Sequence, residues 1–304
     1  MSNKTSVWIS AMRLRTLPLA IASIILGSAL AAAHGGFRWG VAILAILTAV
    51  SLQILSNFAN DYGDAVHGAD SQKRGGPQRA VQSGQVTRQQ MQRAIAIMVV
   101  VSCLIGLALL WAAFGNSTTL IIVFILLGIS AIIGAITYTA GKRPYGYVGL
   151  GDISVLIFFG WVGVMGAYFL HTTTLNWLVM LPATACGLLA VAVLNVNNIR
   201  DIESDKAAGK QSIPVRLGRE RAVVYHWLLF AGALLTAVLY VILTYTSPWQ
   251  FLFLLVIPLL VRNGTAVRRI TAPMQLNPYL RQMSLTTLAF VLLFSLGQLL
   301  ASSL

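Results

Sequence analysis

VAILAILTAVSLQILSNFANDYGD, residues 41–64, carries no charge for twenty positions and then sets Asp61 and Asp64 behind Asn57 and Asn60. An apolar helix of that length crosses a hydrocarbon core about 30 Å thick, which takes ~20 residues. The run is continuous rather than alternating in polarity, so it reads as a spanning helix and not as a barrel strand.

Extended along the chain, the same reading gives nine spans, at about 17–33, 39–60, 93–114, 118–140, 147–170, 175–196, 222–244, 248–264 and 283–303. The composition agrees: 57% of the 304 residues are hydrophobic, 10% are charged, and the mean hydropathy is +0.79. The expected fold is an all-α polytopic membrane bundle forming one domain over residues 1–304. Met1 to Arg15 is polar and basic, and no A-x-A-like cleavage site follows, so the first span is expected to remain in the mature protein. Cys103 and Cys186 fall inside spans and read as buried small hydrophobes.

The net charge of +13 is distributed by topology. Lys4, Arg13 and Arg15 precede the first span, and basic clusters follow spans two, four, six and eight, whereas Arg38 alone lies on the other side. The positive-inside rule makes the basic loops cytoplasmic and sets the N-terminus inside and the C-terminus outside. Cations that flank spans argue against a nucleic-acid partner and for a multi-pass protein of a bacterial cytoplasmic (inner) membrane, in contact with its lipid, with its functional face toward the cytoplasm. The outer loops are too short to build a site.

Only eight acidic residues exist, and six of them (Asp61, Asp64, Asp70, Asp201, Glu203, Asp205) sit at the ends of spans two and six. Aligning Asp61 with Asp201 also aligns Asn57 with Asn197, which makes the chain a parallel internal repeat with halves of about 17–140 and 147–264 and a final span at 283–303. Asn57, Asp61 and Asp64 follow i, i+4, i+7, and Asn197, Asp201 and Asp205 follow i, i+4, i+8, so each set makes a stripe on one helix face. Carboxylates gathered at a membrane need a counter-charge. Arg200, Lys206, Lys142 and Arg143 would supply one as salt bridges. Paired hard-oxygen ligands instead suit Mg²⁺ with the oxygens of a phosphate-bearing lipid.

Asn60-Asp61-Tyr62-Gly63-Asp64 and Asp201-Ile202-Glu203-Ser204-Asp205 resemble the paired aspartate motifs of the UbiA-type intramembrane prenyltransferases. Tyr138-Thr139-Ala140-Gly141-Lys142-Arg143-Pro144 is similar to the segment that lies between those motifs. One position departs: four residues after Asp64 stands Gly68, and the next acid is Asp70. That form, the Gly76-Pro77-Gln78-Arg79 loop, Arg13-Leu14-Arg15-Thr16-Leu17-Pro18 and the stretch Arg143 to Asp152 look most like the branch that prenylates 1,4-dihydroxy-2-naphthoate to demethylmenaquinone. The resemblance implies that Asp61, Asp64, Asp201 and Asp205 hold two Mg²⁺ ions on the diphosphate of a polyprenyl donor. It implies that Asn57, Asn60, Asn197 and Asn198 ligate metal or orient the aspartates, and that Lys142, Arg143, Arg79 and Arg200 contact phosphate oxygens. Tyr138 would face the allylic cation, and Arg13 or Arg15 would either orient the acceptor's carboxylate or anchor the chain at the membrane surface as juxtamembrane basic residues.

Thr87-x-x-Gln90 reads as a capping box that opens the third spanning helix. Gly160, Gly163 and Gly166 suit close helix packing or a smooth prenyl groove. The four histidines share no ligand spacing, and Asp152 suits an ion pair or the acceptor site. Sister enzymes that use 4-hydroxybenzoate, homogentisate or haem would keep the aspartates. A secondary transporter would instead set its polar groups at mid-bilayer.

Overall fold

The computed structural model describes residues 4–67 and 79–303, and these residues form helices and no strand. In chain order the helices are α1 (Lys4–Met12), α2 (Leu17–Ala33), α3 (Trp39–Val66), α4 (Arg88–Phe114), α5 (Thr118–Thr137), α6 (Gly151–Thr172) and α7 (Trp177–Arg200). They continue as the short α8 (Ile202–Ala207) and α9 (Ile213–Leu217), then α10 (Arg219–Leu243), α11 (Pro248–Arg269) and α12 (Pro273–Ser302). Among the described residues, eight of these are long and apolar enough to cross a membrane, and α1 with α2, bent by 49°, makes a ninth.

The helices extend past the apolar windows on the side of the acids. α3 runs on to Val66 and α7 to Arg200, so the polar residues that end each hydrophobic run stay in helical register with it. α4 starts at Arg88, where the expected capping box forms: Thr87 Oγ1 accepts from Gln90 N at 3.2 Å, and Thr87 N donates to Gln90 Oε1 at 2.9 Å. Hydropathy alone set that start five residues late, because the first turn is polar.

α7 is the axis of the bundle and α5 its loosest wall. In α7, 61% of the apolar window is buried, against none of α5. Leu26, Leu189, Phe253, Phe290 and Phe294 of α2, α7, α11 and α12 pack one large core. α6 is widened to π geometry over Leu156–Met165, a form common at functional sites. A Cβ at Gly160 would lie 2.7 Å from Ala183 O, so this glycine lets α6 lie directly on α7. Gly163 packs on Ser23 and also faces the cavity described below, whereas Gly166 meets no neighbour and serves the cavity wall alone. Cys186 is buried as expected, but Cys103 is exposed, on the part of α4 that lines the cavity described below.

Candidate active site

An elongated cavity of about 870 Å³ runs between α2, α3, α4, α5, α6 and α7. Its wall includes both Leu120 of α5 and Tyr138, the residue that follows α5, eighteen residues apart, so it is about 27 Å long. Apolar side chains line most of that length. The polar groups gather at one end, where Asp64, Arg79, Lys210, Asn60, Asn197 and Asn198 meet.

In the first half the helical phasing read from the sequence is realised. Asn57, Asp61 and Asp64 all lie buried on α3. Asn57 Nδ2 donates to Met12 O (2.8 Å) and to Thr16 Oγ1 (3.1 Å), which staples the α1–α2 bend to α3. At that bend Arg13 has φ 51°, in the left-handed region, at a cost of roughly 1–2 kcal/mol for a residue with a Cβ. The bend brings Arg13 to the cavity wall. Asp61 accepts the N–H groups of Ala80 (3.1 Å) and Val81 (3.2 Å), fixing the segment that carries Arg79. Arg79 forms an ion pair with Asp64 and donates to Asn60 O at 2.5 Å.

In the second half the stripe is broken. α7 ends at Arg200, and Asp201 stands at the junction with α8, so Asn197 and Asp205 belong to different helices. Arg200 grips Asp201 through Nε (2.8 Å) and Nη2 (2.5 Å), and it also donates to Asn197 Oδ1 and Asn277 Oδ1, both at 2.8 Å. Four bonds engage most of its five donors, and it stands outside the cavity wall. The wall reaches Asn198, whose buried Oδ1 has no partner. Asp205 is 5% exposed and pairs with Lys210. Burial pushes the Asp205 carboxyl above the usual range, and the Lys210 charge opposes that rise.

The loop after α5 closes the polar end. Tyr138 is half-buried on the cavity wall and packs edge-on against Tyr145. Tyr147 OH donates to Asp64 Oδ1 at 2.7 Å, and burial followed by the Asp64 charge pushes this phenol up. Lys142 and Arg143 are exposed on this loop and outside the wall. Asp152 neither pairs with them nor lines the cavity: it is buried and accepts from Tyr225 OH at 2.9 Å. Asp70 and the side chain of Arg15 lie outside the described residues.

Two residues that the sequence did not single out belong here. Tyr147 was legible only as part of a longer motif, and Lys210 only as one of many positive-inside charges. Gly63 is what lets the loop approach. A Cβ there would lie 2.5 Å from Thr139 O, so Gly63→Ala is expected to lift the loop, cost about 1–3 kcal/mol and lower activity. Thermal unfolding of the purified variant, read beside its turnover, checks this.

The donor set suits a hard cation. An unpartnered amide oxygen (Asn198), a carboxylate oxygen without a hydrogen bond (Asp205 Oδ2) and the nearby Asp64 are Mg²⁺-type ligands. Among the described residues no three His, Cys, Asp or Glu side chains converge. Mg²⁺ commonly binds through one or two carboxylates, with phosphate oxygens and water completing the shell.

A sequence model of the UbiA prenyltransferase family matches residues 20–286. The chain is 50% identical over 295 residues to a 1,4-dihydroxy-2-naphthoate octaprenyltransferase of Escherichia coli, covering 97% of this chain and 96% of that one. It is 37% identical to the enzyme of the same name from Mycobacterium tuberculosis, with 94% of each covered. In fold it is similar to a UbiA homolog from Aeropyrum pernix (TM-score 0.66, 19% identity, 95% of this chain and 96% of that one). It is also similar to an Archaeoglobus fulgidus homolog solved with DMAPP and Mg²⁺ (TM-score 0.52, 18% identity, 93% and 98% covered).

Proposed function

The chain belongs to the UbiA prenyltransferase family, and on that premise we propose that it transfers a polyprenyl group from polyprenyl diphosphate to 1,4-dihydroxy-2-naphthoate, releasing CO₂ and diphosphate and giving demethylmenaquinol, the reduced form of demethylmenaquinone. One observation carries the reading: a single cavity about 27 Å long is apolar over most of its length and charged at one end only. An amphiphile with a long hydrocarbon tail and a diphosphate head fits that shape.

Asp64 and Asp205, with the amide oxygens of Asn198, Asn60 and Asn197, would hold the divalent cation, and Asp61 and Asp201 would fix the segments that carry them. Two ions are proposed, one for each acidic end. When bound, Mg²⁺ offsets the charge that grows on the departing diphosphate. Arg79 donates to the phosphate oxygens from a position already set by Asp61 and Asn60. Lys142 and Arg143, on the exposed rim, draw the anionic head toward the cavity. The Tyr138 ring faces the allylic carbon and favours positive charge there. The electron-rich ring carbon of the acceptor attacks that allylic carbon, and its carboxyl group leaves as CO₂. Arg13, on the wall, pairs with the acceptor carboxylate, a role shared with Arg15. By the positive-inside rule the charged end opens to the cytoplasm of a bacterial inner membrane.

The test is transfer by detergent-purified protein from a polyprenyl diphosphate to 1,4-dihydroxy-2-naphthoate or to 4-hydroxybenzoate, each with Mg²⁺ and with EDTA. Mg²⁺-dependent demethylmenaquinol, which air then oxidises to demethylmenaquinone, is expected together with CO₂ release. Transfer confined to 4-hydroxybenzoate would overturn the acceptor, and no transfer to either would overturn the proposal.

A further inference from the structure

The turn after α8 places a charge where turns of its kind usually place a hydrophobe. Lys210 N donates to Asp205 O (2.9 Å) and Gly209 N to Lys206 O (3.1 Å), with Gly209 in the left-handed region at φ 73°. This is a Schellman ending, in which the residue after the left-handed glycine turns back to touch the residue five positions earlier, commonly through an apolar contact. Here the contact is Lys210 on Asp205, and both side chains are buried.

The contact is loose for a buried ion pair. Lys210 Nζ lies 3.5 Å from Asp205 Oδ1 and 3.4 Å from Oδ2, beyond the usual 2.7–2.9 Å of a charge-assisted hydrogen bond. The ammonium also stands 5.8 Å from the centre of the Tyr147 ring, whose hydroxyl holds Asp64. Lys210 lines the cavity beside Asn198, whereas the tightly gripped Arg200 does not. The two acidic ends therefore match. Each has one carboxylate fixed away from the cavity wall, Asp61 by backbone amides and Asp201 by Arg200. Each has a second carboxylate paired with a cation of the wall, Asp64, which itself lines the wall, with Arg79, and Asp205, which does not line it, with Lys210.

We propose that Lys210 is a second diphosphate-binding cation, the counterpart of Arg79, which rests on Asp205 while no diphosphate is bound and moves to the phosphate oxygens when Asp205 becomes a metal ligand. The proposal rests on the reading of the cavity as a Mg²⁺-diphosphate site. Lysine suits the part, because its four-carbon stem lets a point charge change partners, which a forked guanidinium held at several points resists. In the resting state the ammonium spares Asp205 an uncompensated buried charge.

The experiment uses the full chain in detergent and follows two affinities, Mn²⁺ alone by paramagnetic resonance and inorganic pyrophosphate with Mg²⁺ by calorimetry. Lys210→Met keeps the stem and removes the charge. It is expected to bind Mn²⁺ several-fold more tightly, because the competing cation is gone, and Mg²⁺-pyrophosphate about tenfold more weakly. Lys210→Arg is expected to recover most of the pyrophosphate affinity. A methionine variant unchanged in both affinities would overturn the proposal, and so would one that lost both together with a lowered Tm, the mark of a structural strut. Wild-type protein that bound no Mg²⁺-pyrophosphate would instead overturn the diphosphate reading of the cavity, and this proposal with it.

Discussion

Asp64→Asn is expected to lower kcat/KM for prenyl transfer by about a thousandfold, or ~4 kcal/mol of barrier, while leaving the protein folded. The asparagine keeps the volume of the side chain and an oxygen for the 2.7 Å hydrogen bond from Tyr147 OH, so the closing loop keeps its anchor. What it loses is the charge that holds a divalent cation and that orients Arg79. Tyr147→Phe is the matched control. It removes the hydroxyl but leaves the carboxylate, and a loss of only about tenfold is expected, the worth of one hydrogen bond to a charged group. Initial rates over a range of Mg²⁺ concentrations, with far-UV circular dichroism on each variant, measure both. An Asp64→Asn enzyme within about tenfold of wild type at all Mg²⁺ concentrations would remove Asp64 from the metal site.

What the sequence revealed and what it hid divide along a physical line. Spans are local: a run such as residues 41–60 must be helical and buried in lipid whatever surrounds it, and the Thr87–Gln90 box depends on four consecutive residues. The stripe of Asn57, Asp61 and Asp64 follows from helical geometry once the helix continues to Val66. The second stripe fails because Arg200 and Asp201, adjacent in sequence, close a bidentate pair where α7 meets α8, a local event that periodicity ignores. Lys210 meets Tyr147 and shares a wall with Asp64 only through packing of segments more than sixty residues apart. In sequence it was one basic residue among several that satisfy the positive-inside rule. Tyr147, expected at the start of a span, stands instead in the 3₁₀ turn Tyr145–Val148 that precedes α6, which frees its hydroxyl to reach Asp64. Charges at membrane edges thus serve topology and chemistry at once, and only tertiary contact separates the two.

Arg200 tests that separation most sharply. Its resemblance-derived role is phosphate binding, yet the guanidinium is enclosed, with its side chain 1% exposed and hydrogen-bonded to Asp201, Asn197 and Asn277. Arg200→Ala would take from the Asp201 carboxylate, 3% exposed, its bidentate guanidinium. Breaking a buried pair by removing one partner costs about 3–5 kcal/mol, so a large fall in Tm in detergent is expected, with activity lost in proportion to folded protein. The double variant Arg200→Met, Asp201→Leu separates charge burial from packing. It removes both charges, so it should recover most of the stability although two side chains have changed. If Arg200 is a clasp, the fraction of Arg200→Ala that remains folded should keep an unaltered KM for polyprenyl diphosphate. A stable Arg200→Ala protein with a KM raised about tenfold or more would instead return the guanidinium to the substrate, and would mean that the Arg200–Asp201 pair opens when diphosphate binds.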